Sequence, residues 1–384
     1  MRTAILASLA FVATAAALPA QLALQLTTGV DGGISVPASP LLVPPTGITV
    51  EAWITYDDST IPLDGFFYWP TIVRQNLQNG QEVYNLRVGA ANTSSRRLEW
   101  IIRAGTSLQS LSYTFAAGEF AQFTHVAATF DGQNMRIFKN GVQVATRTLT
   151  TLTELVNTGD VLRIGNGDAV APGRETWNGK IDELRIWPVA RTPFEILSTK
   201  DQSLGTLPGK LLNFTLDGFE FDLSSGLIGA TFGTTAYAAG APGLVPQYPT
   251  VAAIGQSSST CGRSIDALLT TVPAIGNAEF AIWAARGPRP TVSGLGLLFG
   301  ATAAAPPGLP PVFGIDLAFD LNTVVYQVAV LPPTTLLGNA RWPLPIPNDS
   351  AFPGVSLLFQ WAFFDSVCGS QGITASDGVQ FTLQ

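Results

Sequence analysis

Phe123-Thr-His-Val-Ala-Ala-Thr-Phe130 alternates in polarity and is followed by Asp131-Gly132, then Met135-Arg-Ile-Phe-Lys139, then Asn140-Gly141, then Val142-Gln-Val-Ala-Thr146. Asp-Gly and Asn-Gly between alternating runs are strong hairpin signals, because both turn residues tolerate positive φ. A chain that reverses every few residues builds antiparallel sheet. The runs Thr49–Ile54, Val161–Ile164 and Ile181–Trp187 extend the pattern, and no long 3.6-residue period interrupts it. Strands at this spacing predict a two-sheet sandwich, hence an all-β chain. One short helix is expected at Thr192-Pro193-Phe194-Glu195, running to about Thr199. Thr at the N-cap, Pro at the first helical position and Glu at the third make a capping box whose proline loses no needed N–H.

The 384 residues have room for two domains with real cores. Charge density drops near residue 245. Beyond it there is no lysine, and the arginines are Arg263, Arg286, Arg289 and Arg341. The uncharged, Gly/Pro-containing segment Ala236–Pro249 reads as a linker or long turn. The expected division is a signal peptide at 1–20, a front domain at 24–243 and a smaller β-rich, sandwich-like domain at 244–384.

Met1-Arg2-Thr3, a short apolar run and small residues before Gln21 have the form of a secretory signal. Cleavage is expected after Ala20, with Ala17 as the alternative. The mature chain would then be secreted or held at the cell surface. No later segment reads as a membrane span, since Pro306-Pro307 and Pro310-Pro311 break the one long uncharged stretch. In an oxidising compartment the two cysteines, Cys261 and Cys368, are expected to pair. A formal charge of −7 gives no electrostatic footprint for nucleic acid.

The strings Thr49-Val-Glu-Ala-Trp-Ile, Phe123-Thr-His-Val-Ala-Ala-Thr-Phe-Asp-Gly, Met135-Arg-Ile-Phe-Lys-Asn-Gly-Val, Leu162-Arg-Ile-Gly-Asn, Trp177-Asn-Gly-Lys-Ile-Asp-Glu-Leu-Arg-Ile-Trp and Arg191-Thr-Pro-Phe-Glu-Ile occur in this order. Together they resemble the LamG-like jelly-roll domain of the concanavalin A-like lectin/glucanase superfamily, over roughly residues 24–243. The resemblance implies a jelly-roll β-sandwich. It leaves function open, because the fold serves lectins, adhesion modules and glycoside hydrolases alike. The last 140 residues resemble, through Leu344-Pro-Ile-Pro-Asn-Asp349, Leu358-Phe-Gln360 and Ser376-Asp-Gly-Val379, a β-rich module of unknown function in exported bacterial proteins.

Catalytic patterns are scarce. A retaining glycosidase needs two carboxylates about 5 Å apart, which a strand provides at i and i+2. The nearest string, Glu220-Phe221-Asp222, lacks the third acid that glucanases of the superfamily often carry and reads as a solvated strand face. Asp182-Glu183 are neighbours, so simple alternation sends them to opposite faces. His125, the sole histidine, reads as a sheet-face residue with a hydrogen-bond partner. No Gly-x-Ser-x-Gly, phosphate-loop or His-Glu-x-x-His pattern occurs. A non-enzyme is therefore expected.

Calcium is the one candidate cofactor. By the motif match its carboxylates would be Asp31 and Asp182; the competing reading is that Asp182 accepts backbone N–H groups or pairs with Lys180 or Arg185. Gly65-Phe-Phe-Tyr-Trp-Pro70 is an aromatic cluster beside Asp64 in an expected loop, making Tyr68, Trp69 and Asp64 candidate ligand contacts. The alternative is that these aromatics begin the next strand and fill the core. Trp53, Trp100 and Trp187 are expected in the core. The combined expectation is a secreted, non-catalytic, lectin-like binding or adhesion protein whose partner is a glycan or an extracellular protein. The competing classes are a divergent glycoside hydrolase or polysaccharide lyase, and a structural cell-surface protein.

Overall fold

The computed structural model describes residues 21–384 apart from 40–41, 45–46, 63–65, 78–80, 90–95, 152, 156–158, 168–172, 205–211, 219–226, 248–250, 259–263, 289–295, 306–310, 312–314, 321, 323, 331–337 and 370. The expected signal peptide lies outside these residues, as do Asp64, Glu220, Asp222 and Cys261.

The first strands are β1 (Leu22–Leu26), β2 (Gly32–Val36), β3 (Ile48–Tyr56), β4 (Thr71–Leu77), β5 (Glu82–Gly89), β6 (Arg97–Ala104), β7 (Ser107–Thr114), β8 (Thr124–Phe130), β9 (Asn134–Lys139), β10 (Val142–Thr148), β11 (Gly159–Ile164) and β12 (Gly179–Trp187). The helix α1 (Pro193–Thr199) follows, then β13 (Gln202–Leu204), β14 (Leu212–Phe214), β15 (Ala230–Gly233), β16 (Ala236–Ala239) and β17 (Val245–Gln247). One sheet runs β10-β9-β8-β3-β12-β1-β16, with β14 also on β12. The facing sheet runs β15-β2-β11-β4-β5-β6-β7. Every pairing described within these two sheets is antiparallel. This is the two-sheet sandwich the alternation predicts, in the jelly-roll form the resemblance implies.

Alternation decides what each face meets. On β3, Ile48, Val50, Ala52, Ile54 and Tyr56 enter the core between the sheets, beside Trp100, Phe130 and Ile186. Thr49 and Glu51 point the other way and are nevertheless buried. Asn140 (φ 49°) and Gly141 (φ 80°) form the two-residue turn between Lys139 and Val142, as Asn-Gly predicts. Helix α1 carries the expected capping box: Thr192 accepts from Glu195 N, and the Glu195 carboxylate accepts from Thr192 N.

The remaining strands are β18 (Val251–Ile254), β19 (Asp266–Leu269), β20 (Ala281–Ala285), β21 (Gly296–Ala301), β22 (Val324–Val330), β23 (Ala340–Pro343), β24 (Ser356–Phe364) and β25 (Ile373–Thr382). They form one sheet ordered β18-β25-β24-β21-β22 and another ordered β19-β20-β23, around a core that includes Leu269, Ile282, Trp361 and Phe381. This is the expected smaller sandwich. Strand β20 is buried on both faces. Ile282 and Ala284 enter that core, while Ala281, Trp283 and Ala285 pack on Trp187, Val189 and Leu204 of the front part.

Two expectations need correction. The segment Ala236–Pro249 is not a plain linker, because β16 pairs with β1 and β17 pairs in parallel with β13. Its small residues suit close approach: a Cβ on Gly240 would sit 2.7 Å from Asp182 Oδ2 and from Leu22 O. Simple alternation also fails in β12. The register shifts between Asp182 and Arg185, and Glu183 adopts φ 48°. This bulge returns Leu184 to the core face with Ile181 and Ile186 and leaves both Asp182 and Glu183 outside that row. The two acids are therefore not separated by the sheet as alternation implied, and Asp182 does not share the face of Leu184 and Ile186.

Candidate binding rim

One end of the front sandwich is built from the β1–β2 turn, the segment between β3 and β4, and the segment between β11 and β12. Backbone bonds lace them together. Gly29 N donates to Gly173 O at 2.8 Å, Trp69 N to Arg174 O at 2.9 Å, and Thr71 N to Glu175 O at 3.0 Å. Gly173 is at φ 80°, and a Cβ there would lie 2.6 Å from the Gly29 carbonyl carbon, so only glycine permits the approach. Side chains lock the same region. Asn166 Nδ2 lies 2.9 Å from Asp31 Oδ1, 3.0 Å from Gly32 O and 3.1 Å from Thr176 Oγ1. Thr28 Oγ1 donates to Thr176 O at 2.6 Å, and Trp177 Nε1 donates to Thr55 O at 2.9 Å.

Aromatic surface stands on this rigid base. Phe66 and Phe67 are 50% and 48% exposed, and Val30 is exposed on the neighbouring turn. The Arg174 guanidinium lies 3.8 Å from the Phe66 ring centroid, a cation–π contact, and Phe67 and Trp69 have centroids 6.0 Å apart. The rim thus carries two half-exposed aromatic rings, one of them stacked by the Arg174 guanidinium.

The sequence-selected residues divide here. Trp69 is half-buried at the rim. Tyr68 is a correction: it is only 5% exposed and belongs to the core, because it points inward between outward-facing neighbours. The exposed pair is Phe66 and Phe67, which the aromatic cluster contained but the candidate residues omitted. Asp31 receives Asn166 Nδ2 and, at its carbonyl, Thr234 N at 2.8 Å. Asp182 has other partners. It is fully buried and accepts backbone N–H groups from Glu183 and Ala241, both at 2.8 Å. That was the competing reading for this residue. Burial pushes its carboxyl up to about 8, against the lowering effect of those N–H groups, with Glu183 and Asp217 adding to the rise. No group of three or more His, Cys, Asp or Glu side chains that could hold a metal ion is found among the described residues. The partner expected for Cys368, Cys261, lies outside the described residues.

The opposite face of the β3 sheet carries a buried ionic network that sequence reading missed. Glu51 accepts both contacts of Arg191 Nη1, at 2.8 and 2.9 Å, and Trp187 Nε1 at 2.9 Å; Arg185 Nη1 is 3.5 Å away. Burial opposes the charge on Glu51, but the two arginines, with His125 and the indole N–H, hold its carboxyl down at about 2. His125 is buried, and burial lowers it to about 4 despite Glu51. Its Nε2 is 3.7 Å from Glu51 Oε2, and neither ring nitrogen has a hydrogen-bond partner, which corrects the expected partner. Trp53 and Trp187 also lie on this face rather than between the sheets; Trp53 Nε1 donates to Lys200 O at 2.6 Å. Only Trp100 of the three is in the main core. The network is sealed by α1 and by residues from the second sandwich. Trp283 Nε1 and Arg341 Nε both donate to Glu195 Oε1, at 2.8 and 3.1 Å. With its charges paired and out of solvent, this network acts structurally.

Residues 28–197 match the family model described as the concanavalin A-like lectin/glucanases superfamily. Mouse pappalysin-1 is 38% identical over 80 residues, which is 20% of this chain and 5% of that protein's length; the human protein is 39% identical over the same shares. The chain therefore aligns to a small fraction of the curated relatives it matches. Among solved structures, a protein from Bacteroides ovatus described as carbohydrate binding has 23% identity, with 58% of this chain and 60% of that one covered, at a TM-score of 0.42. The heptameric SAP-like pentraxin of Limulus polyphemus has 13% identity, with 59% and 97% covered, at 0.40. No helix among the described residues is long and apolar enough to cross a membrane.

Proposed function

We propose, on the premise that residues 28–197 belong to the concanavalin A-like lectin/glucanases superfamily, that this chain is an exported, non-catalytic binding protein whose jelly-roll rim recognises a glycan. The observation that carries the reading is the exposure of Phe66 and Phe67 on a rim whose backbone is otherwise fixed by hydrogen bonds. Planar apolar faces suit the C–H face of a sugar ring, and Arg174 with Asp31 supplies polar selectivity at the edge. An extracellular protein surface is the coarser alternative partner. Three acids outside the rim support the non-catalytic part: Glu51, Asp182 and Glu183 are buried and already hydrogen-bonded or paired. Pairing of Cys261 with Cys368 belongs to the same reading, since export supplies the oxidant.

A glycan array probed with the full chain, with and without chelator, tests the proposal. Retention on a restricted set of glycans supports it, and sensitivity to chelator would bring Asp31 back as a calcium ligand. Failure to retain any glycan, or turnover of a polysaccharide, contradicts it.

A further inference from the structure

The front sandwich has a second concavity at the end away from the rim. Thr71, at the rim, pairs with Arg87, and Arg87 pairs with Glu99 near the start of β6; the concavity lies at the other end of β6, where Ala104 pairs with Ser107 across the β6–β7 turn. It measures about 270 Å³ and is lined by Ser107, Gln109, Arg147, Thr148, Thr150 and Thr151 among others. That is below the span of about 300–1,000 Å³ typical of drug-sized sites, so it suits one charged group on a small carrier. Its backbone is fixed. Leu149 N donates to Gln133 O at 2.8 Å, Thr153 N to Gly132 O at 2.9 Å, and Ala104 bridges Leu155.

Arg147 sets this place apart. Every other described arginine of the front sandwich faces a carboxylate, lies over an aromatic ring or, as Arg103 does, is buried. Arg147 is exposed and has only neutral acceptors: Nη1 donates to Ser110 O at 2.6 Å and Nη2 to Gln109 Oε1 at 2.9 Å. In a chain where 27 acids outnumber 20 lysines and arginines, that is a cation left uncompensated. The two bonds hold the guanidinium in place and use two of its five N–H groups, so three remain to donate. Beside it, the hydroxyls of Ser107, Thr150 and Thr151 are exposed and make no hydrogen bond to described residues. Thr148 Oγ1 is committed to Asn134 Oδ1 at 2.8 Å.

A held guanidinium with free N–H groups, ringed by three open hydroxyls and no acid lining the space, matches an anion with several terminal oxygens. We propose that this pocket binds a tetrahedral ester oxyanion carried on a sugar, with two oxygens toward Arg147 and the rest toward Thr150, Thr151 and Ser107. A sulfate ester carries one negative charge, which Arg147 balances; a phosphate monoester carries about 1.5 to 2, which leaves charge over in an acidic chain. The site shares no residue with the rim and does not depend on what the rim binds.

The test is calorimetric titration of the full chain with D-glucose 6-sulfate, D-glucose 6-phosphate and D-glucose. The esters are expected to bind and glucose to bind about tenfold more weakly, having lost the charged hydrogen bonds. The sulfate binding more tightly assigns a sulfated sugar as the source of the anion; the phosphate binding more tightly assigns a phosphorylated one. Arg147→Gln is expected to weaken the esters about tenfold and leave glucose unchanged. Thr150→Ala with Thr151→Ala keeps the charge, is expected to cost about threefold, and serves if Arg147→Gln does not fold. Arg97→Gln, an exposed cation at the other end of β6, should change nothing. No saturable binding of either ester, equal binding of glucose, undiminished binding in folded Arg147→Gln, or an equal loss in Arg97→Gln overturns the proposal.

Discussion

The Arg191 guanidinium holds both carboxylate oxygens of Glu51, at 2.8 and 2.9 Å, with neither side chain exposed to solvent. The same guanidinium reaches the Thr270 carbonyl at 2.6 Å. One arginine therefore neutralises a buried charge on the outer face of the β3 sheet and ties that face to the start of the second sandwich. The Glu195 carboxylate does similar double duty, capping α1 through Thr192 N and receiving Trp283 and Arg341 from the rear.

Removing Arg191 strands Glu51 in a dry site. Arg191→Ala is expected to lose about 3–5 kcal/mol of stability, as breaking one partner of a buried pair does. Arg191→Lys should recover only part of it, because an ammonium cannot serve both carboxylate oxygens and the Thr270 carbonyl in one plane. Urea unfolding of the two variants measures the difference. Equal midpoints for wild type and Arg191→Ala would contradict the assignment.

Stability should fall as pH rises above neutrality. Burial lifts the Asp182 carboxyl to about 8 and that of Asp377 to about 7, while the unfolded chain releases these protons near 3.8. Between those values the folded state holds more protons than the unfolded state, so stability drops with each step up in pH. Glu51 and His125 act at the acid side. Glu51, held at about 2, loses its contribution as pH falls below 4.5, and His125, lowered to about 4, costs stability as pH falls below 6.5. Of these four groups only the two aspartates titrate above pH 6.5. Melting temperatures from pH 6.5 to 8.5 should decline, and Asp182→Asn with Asp377→Asn should flatten the decline.

Asn85 sits on the outward row of β5, fully buried, with neither side-chain amide atom hydrogen-bonded. An unmatched buried amide costs on the order of 1–3 kcal/mol. Asn85→Leu, which keeps the branched shape at Cγ with apolar atoms, is expected to be neutral or to raise the melting temperature, measured by calorimetry. A large loss of stability would contradict the assignment of Asn85 as an unmatched buried amide.

How much of this was legible in sequence depends on distance along the chain. Asn140-Gly141 and the Thr192–Glu195 capping box are local devices, and both stand as read. The Glu183 bulge is not written in Asp182-Glu183-Leu184. It is held by the Glu183 carboxylate on Arg185 and Ser203, a contact that forms only once β13 has folded over β12. Nothing in Thr-Val-Glu-Ala-Trp marks Glu51 as buried; it is covered by α1 and by residues more than two hundred positions away. Phe66-Phe67-Tyr68-Trp69 read in sequence either as an exposed loop cluster or as core aromatics, and the structure divides them. Which ring turns inward is set by the laced backbone of Trp69 and Thr71, which composition does not reveal.

The central claim is that Phe66 and Phe67 face a partner. The direct measurement is a glycan array run side by side with the wild-type chain and the Phe66→Ala, Phe67→Ala double variant, each checked for an unchanged melting temperature. The account predicts that the wild type is retained on a defined subset of glycans and that the folded variant loses those signals. Retention of the variant on the same glycans at the same strength would contradict it.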